Sequence, residues 1–222
     1  MRNRPTAHAL TSPPGLMLHL SAWFLVAILL ALPHFARAQE APDALIRRAV
    51  GEVTSAIDAD RDLQAGDRRK VTALVNAKVV PWLNLETMTR SAVGRFWPRA
   101  TPEQQQALTR EFGRFLVNTY SGALTTYRPG TPIDYRPARM DGTDAAVVRS
   151  LVRVSGGDPI QLDYYLERDA GGWKVVDINV LGARLVETYK GQFAAIIGTD
   201  GLDGLIRTLA TRNKSIEERS RG

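Results

Sequence analysis

The stretch GGWKVVDINVLGARLVETYKGQFAAIIG, residues 171–198, decides the fold. Residues 173–180 are rich in β-branched side chains and follow the turn pair Gly171-Gly172, the pattern of a strand. Strict alternation puts Val176, Ile178 and Val180 on one face and Trp173, Val175, Asp177 and Asn179 on the other. Gly182 ends the strand, and the apolar period lengthens from 2 to about 3.6. Leu185, Tyr189, Phe193, Ile196 and Ile197 then share one side of a helix. A helix with so broad an apolar side needs a large surface to cover it.

More strands lie just upstream. Residues 133–137 read as a short strand, and residues 145–154 as a longer one. In the longer strand Val148, Val152 and Val154 share one face, and Val147, Arg149, Leu151 and Arg153 the other. After the turn at Gly156-Gly157, residues 160–167 alternate cleanly, with Ile160, Leu162, Tyr164 and Leu166 inward. Short glycine-containing turns join antiparallel neighbours. One apolar and one polar face predict a sheet of about four strands covered by helices on a single side. The fold class is α+β.

The helices come first in the chain. Residues 43–58 set Ile46, Val50, Val53 and Ile57 on one face, and Val71, Leu74, Val75 and Val79 repeat the pattern before Pro81. Residues 85–93 form a shorter helix stopped by Gly94. The longest helix opens with Thr101 as N-cap, Pro102 at the first position and Gln104 three after the cap, a capping box. Its stripe of Leu108, Phe112, Phe115, Leu116, Tyr120, Leu124 and Tyr127 predicts burial against the sheet. Leu202, Leu205, Ile206 and Leu209 read as a last short helix, and residues 213–222 as a flexible charged tail. A single domain over residues 39–212 is expected.

Residues 1–38 read as a cleaved signal peptide. Arg2 and Arg4 precede an apolar run over residues 16–32, and Ala36-Arg37-Ala38 fits a small-x-small cleavage site. The alternative is an uncleaved inner-membrane anchor, but the run is short and contains His19 and Ser21. Export follows from the first reading. His8, His19 and His34, the three histidines of the chain, fall in this segment, and the chain has no cysteine. Of 29 Lys and Arg, three (Arg2, Arg4 and Arg37) also fall there, leaving 26 against 23 acidic residues. So small an excess, with no dense Lys/Arg patch, argues against a nucleic-acid partner.

A mature chain without His or Cys excludes a Ser-His-Asp triad, a Cys-His pair and a His/Cys zinc site. Neither a phosphate-binding G-x-x-x-x-G-K-S/T loop nor a G-x-S-x-G elbow occurs. Residues 198–204, GTDGLDG, lack the spaced oxygen ligands of a calcium loop and read as a helix-to-helix turn. Asp177 is a candidate buried acid, with hydrogen bonding to a turn or an arginine as its structural explanation. No catalytic residue, metal or cofactor is assigned, and the chain is expected to be a monomer.

Two blocks carry a resemblance. One is W-K-V-x-D-I, the strand-ending Gly182, then L-V-x-x-Y-x-x-Q-F-x-x-I-I over residues 185–197; the other is VGRFWPRATPEQ over residues 93–104, followed by Phe112, Leu116 and Tyr120. Together they resemble the MlaC family, also known as toluene-tolerance auxiliary proteins. Arg184 departs from the family pattern, which has a small polar residue there. The resemblance implies a periplasmic phospholipid carrier in an Mla-type ABC transport pathway maintaining outer-membrane lipid asymmetry. Its implied partners are an inner-membrane MCE-domain transporter complex and an outer-membrane lipoprotein. It also implies an apolar cavity between sheet and helices, with the acyl tails as cargo.

Strand and helix phase then give the tail-binding residues. The helices contribute Phe96, Phe112, Phe115, Leu116, Tyr120, Tyr189, Phe193 and Ile197. The strands contribute Val148, Val152, Leu162, Tyr164, Leu166, Val176, Ile178 and Val180. Periodicity alone favours a closed core, and it is the resemblance that favours an open cleft; two further readings use the same cleft: a periplasmic enzyme working through Asp177 or tyrosines, and a peptide-binding chaperone module.

Overall fold

The computed structural model describes residues 40–154 and 156–220, so the signal-peptide expectation lies outside the described residues. Helix α1, Pro42–Ala59, starts on its proline and buries Leu45, Ile46, Ala49, Val53 and Ile57. The four-residue α2, Arg61–Gln64, is capped by Asp60, whose carboxylate accepts from the Asp62 and Leu63 amides. Asp67 caps α3, Arg68–Lys78, in the same way through the Arg69 and Lys70 amides. Asn84 caps α4, Leu85–Val93. Helix α5, Pro102–Tyr120, has the expected capping box: Gln104 N donates to Thr101 Oγ1 at 3.2 Å and Thr101 N to Gln104 Oε1 at 3.1 Å. Each cap satisfies amides that a helix start would otherwise leave open.

The sheet is antiparallel and has six strands: β1 Ile133–Tyr135, β2 Arg139–Asp141, β3 Ala145–Val152, β4 Ile160–Asp169, β5 Gly172–Val180 and β6 Ala183–Arg184. The order is β1-β3-β4-β5-β6, with β2 also pairing with β3. Four of these are the strands expected from sequence; β2 and β6 are short additions at the margins. The α+β class stands. Helix α6, Leu185–Arg219, follows β6 directly.

Three details differ from the sequence reading. First, β5 does not alternate strictly. Tyr165 faces Asp177 but Leu166 faces Val175, so Val176 is an extra residue at a bulge. The bulge turns Trp173 and Val175 onto the same face as Leu166, where they are buried, and takes Val176 off it. Second, the α5 stripe packs on α4 and α6 instead of the sheet, and the chain turns into a 3-10 helix at Ser121–Thr126. Leu124 and Tyr127 consequently join Val53 and Ile57 of α1. The helix that covers the sheet is α1, through Leu45 and Ile46.

Third, the expected short last helix and flexible tail are one continuous element. Helix α6 breaks its geometry only at Gly201, where φ is 70° and ψ is −176°, a conformation open essentially to glycine. It then continues to Arg219. Asn213, placed in the tail by sequence, is completely buried: its Nδ2 donates to Glu111 O at 3.0 Å and Glu111 Oε2 at 3.1 Å, while its Oδ1 accepts from Asn118. Arg114 reaches from α5 to Glu217 at 2.8 Å. These polar ties hold the end of α6 along α5, which a charge count cannot foresee.

Candidate functional site

Thirteen of the sixteen predicted tail-binding residues fall into two apolar clusters. Phe112, Phe115, Leu116, Tyr189, Phe193 and Ile197 are buried in a wholly helical cluster with Met88, Leu108, Leu205 and Leu209, and Phe96 and Tyr120 pack against it half-buried. Its centre is an aromatic knot. Phe112 meets Tyr189 and Phe193 edge-on at centroid distances of 5.4 and 5.1 Å, and Phe115 meets Tyr189 at 5.3 Å. The Tyr120 and Tyr189 hydroxyls are hydrogen-bonded at 2.9 Å. Burial, aided by that hydrogen bond, pushes the Tyr189 phenol well above its ordinary range.

The second cluster lies on the inner face of the sheet. Val148, Tyr164 and Leu166 are buried there with Ala146, Trp173, Val175, Leu45 and Ile46, while Leu162 and Ile178 are half-buried against it. Burial pushes the Tyr164 phenol up. Val152, Val176 and Val180 are half-buried and belong to neither cluster. Val176 stands at the bulge, out of strict alternation with Ile178 and Val180. Trp173, Val175, Leu45 and Ile46, outside the predicted set, complete the second cluster. The β-branched run did contain Trp173 and Val175, but alternation carries no sign of an inserted residue.

Leu83 packs against both clusters. It forms a parallel bridge with Val175, and the Asn84 amide donates to Val175 O at 2.9 Å, so the helical layer is stitched to the sheet beside β5. The second stitch is Asp177, which is 2 % exposed. Its Oδ1 accepts from the Ile178 amide at 2.8 Å and from the Val186 amide at 3.0 Å, and its Oδ2 accepts from Arg184 Nε at 2.8 Å. A carboxylate at the first turn of α6 meets both open amides and the positive end of the helix dipole. Arg184 stacks over the Tyr165 ring at 4.1 Å. Asp177 and Arg184 are therefore a structural pair that fixes where α6 leaves the sheet.

Between these stitches the inner face changes along its length. At the end formed by Ala146, Leu166, Trp173 and Val175 it is sealed. Toward Val152 on β3, Leu162 on β4, and Ile178 and Val180 on β5, where Leu162 pairs with Val180, these side chains are half-buried. Two open hollows elsewhere, one around Asp200, Arg207 and Arg212 and one around Gly66, Arg68 and Arg128, are walled mainly by polar side chains and include none of the sixteen residues. Among the described residues no group of three or more His, Cys, Asp and Glu side chains is placed to hold a metal ion.

A family model for MlaC protein matches residues 47–211. The chain belongs to the MlaC family. Among its MlaC relatives, the intermembrane phospholipid transport system binding protein MlaC of Haemophilus influenzae is 24% identical over 197 residues, 86% of this chain and 92% of the relative. The toluene tolerance protein ttg2D of Pseudomonas putida is 26% identical over 181 residues, 81% of this chain and 83% of the relative. Among solved structures, the phospholipid-binding protein of Ralstonia solanacearum, in complex with a phospholipid, superposes with a TM-score of 0.73 at 41% identity. The match covers 80% of this chain and 99% of that one.

Proposed function

We propose that this MlaC-family chain is a periplasmic phospholipid carrier and not an enzyme. It shuttles lipid between inner and outer membranes in an Mla-type ABC transport pathway that maintains outer-membrane lipid asymmetry. The observation that carries the reading is the likeness, at 41% identity, to a structure solved with phospholipid bound. The two apolar layers fit it: acyl tails lie between the helical cluster and the half-buried part of the sheet face, lined by Leu162, Ile178 and Val180. Leaving two tails of about sixteen carbons in water costs on the order of 25 kcal/mol, at ~0.8 kcal/mol per methylene, so a lipid crossing the periplasm needs such a sheath.

In this reading the lipid is cargo, no cofactor is needed, and the cleaved signal peptide of residues 1–38 delivers a monomer to the periplasm. Handover runs between an inner-membrane MCE-domain transporter complex and an outer-membrane lipoprotein. The enzyme alternative loses its candidate acid, because Asp177 is engaged by a helix start and an arginine. Protein purified without added lipid, then extracted and analysed by mass spectrometry, should yield phospholipid in stoichiometric amount. Recovery of none overturns the reading.

A further inference from the structure

Two buried side-chain polar atoms lack a hydrogen-bond partner among the described residues, Ser150 Oγ and Asn179 Oδ1. Asn179 is only half-buried and pairs with Asp163, away from the apolar face. Ser150 is different. It is completely buried, and by alternation it stands on the inner face of the sheet with buried Ala146 and Val148. A hydroxyl buried without a partner costs the fold its desolvation and returns nothing, so alanine would serve the packing better. An orphan of this kind in a native interior calls for a partner from outside the chain.

The neighbours of Ser150 indicate the partner's chemistry. Pairing runs as one rung across four strands: Tyr135 on β1, Ser150 on β3, Leu162 on β4 and Val180 on β5. Cross-strand partners share a face, so the rung is hydroxylic at one end and aliphatic at the other. Beyond its hydroxylic end Arg47 of α1 lies over the Tyr135 ring at 4.8 Å and is 48% exposed. Diagonal to Ser150 is Tyr164, whose phenol burial pushes up and the nearby Ser150 hydroxyl draws partly back. The two groups are nonetheless not placed for a hydrogen bond. Exposed cation, phenol, buried hydroxyl, aliphatic pair: a phospholipid has the matching order of phosphate, glycerol ester and acyl chain. A phosphate does not suit Ser150 itself, because that rung holds no cation and the charge would be buried unpaired. A neutral ester carbonyl does, as an acceptor for the hydroxyl proton.

We propose that the Ser150 hydroxyl donates a hydrogen bond to an acyl ester carbonyl of the bound phospholipid, setting that chain along Leu162 and Val180. The inference rests on the carrier reading and adds to it a polar contact that fixes where the glycerol lies. Ser150 stands where the inner face passes from sealed to half-buried, so a carbonyl held there leaves its chain on the half-buried side.

The test compares the wild type with Ser150→Ala. Both are delipidated, then loaded from vesicles holding equal amounts of diester and diether phosphatidylethanolamine with the same chain lengths. Bound lipid is extracted and quantified by mass spectrometry. The diether lacks the carbonyls, so the wild type should take up the diester in about fivefold greater proportion than Ser150→Ala does, the factor one net hydrogen bond supplies. Equal diester-to-diether ratios in the two proteins overturn the proposal. Delipidated Ser150→Ala should unfold at the same urea concentration as delipidated wild type, or a higher one. Earlier unfolding overturns the proposal too, by making the hydroxyl a structural partner of Tyr164. A wild type that takes up neither lipid fails at the carrier reading instead, so the two failures are told apart.

Discussion

Around Phe112, side chains are sealed: Phe112, Leu108, Phe193 and Leu205 are all at most 1% exposed. On the sheet, Val148 and Leu166 are as deeply buried, but within two rungs, at Leu162, Ile178 and Val180, the apolar side chains are only half-buried. Both regions are built from aliphatic and aromatic residues, so composition does not separate them. Their neighbours do. The helical cluster is closed by three helices wrapped on one another, whereas the buried helical cover of the sheet cluster comes from Leu45 and Ile46 of α1, with Trp82 and Leu83 packed at its margin. The first region is a core that holds itself together; the second leaves part of its apolar surface half-buried.

The comparison breaks most visibly under a charge placed in the helical knot. Phe193→Arg puts an unpaired guanidinium among Phe112 and Tyr189, and should cost more than about 4 kcal/mol, leaving little folded protein in a urea titration. Phe112→Ala, which only removes volume, should cost about 3–5 kcal/mol. Asp177→Asn comes next, at about 2 kcal/mol, because Arg184 loses its carboxylate and the α6 start loses charge, although the amide oxygen can still accept. Lipid content should be unchanged in that variant.

Leu162→Glu sharpens the contrast from the other side. At a half-buried position it should cost only about 1 kcal/mol, yet abolish phospholipid loading, checked by denaturation alongside lipid extraction. If it unfolds the protein as Phe193→Arg does, the sheet face is ordinary core.

The smallest effect is alkaline. Burial pushes the Tyr135 phenol up to about 12, and pushes Tyr164 and Tyr189 in the same direction. A phenol that ionises later when folded than when unfolded stabilises the fold fully below about pH 10, its ordinary pKa, and this contribution fades as the pH climbs toward 12. Melting temperature should therefore fall over that window, with tyrosinate absorbance appearing in step with unfolding.

Much of this architecture was legible because local rules and tertiary structure agree. The capping box at Thr101, the stop at Gly94, the glycine turns and the β-branched runs all lie where the chain uses them. The misses have one kind of cause: a partner distant in sequence changed the local answer. Val176 alternates on paper, but Leu166 pairs with Val175, and the inserted residue reverses the phase of Trp173 and Val175. Asn213 reads as tail, but Glu111, 102 residues away, buries it. The Phe112 stripe reads as facing a sheet because a stripe tells how much surface is covered and not by what. Of the predicted tail-binding set, its apolar character was legible, while its division into a closed knot and an open face was not.

The claim on which the account depends is that lipid tails lie against the half-buried part of the sheet face. A phospholipid bearing a photoactivatable diazirine along one acyl chain, loaded into the protein and irradiated, tests it most directly. The account predicts peptide adducts at Leu162, Ile178, Val180 or Val152. Adducts confined to the opposite face, at Val147, Leu151 and Tyr165, or protein that takes up no probe, would contradict it.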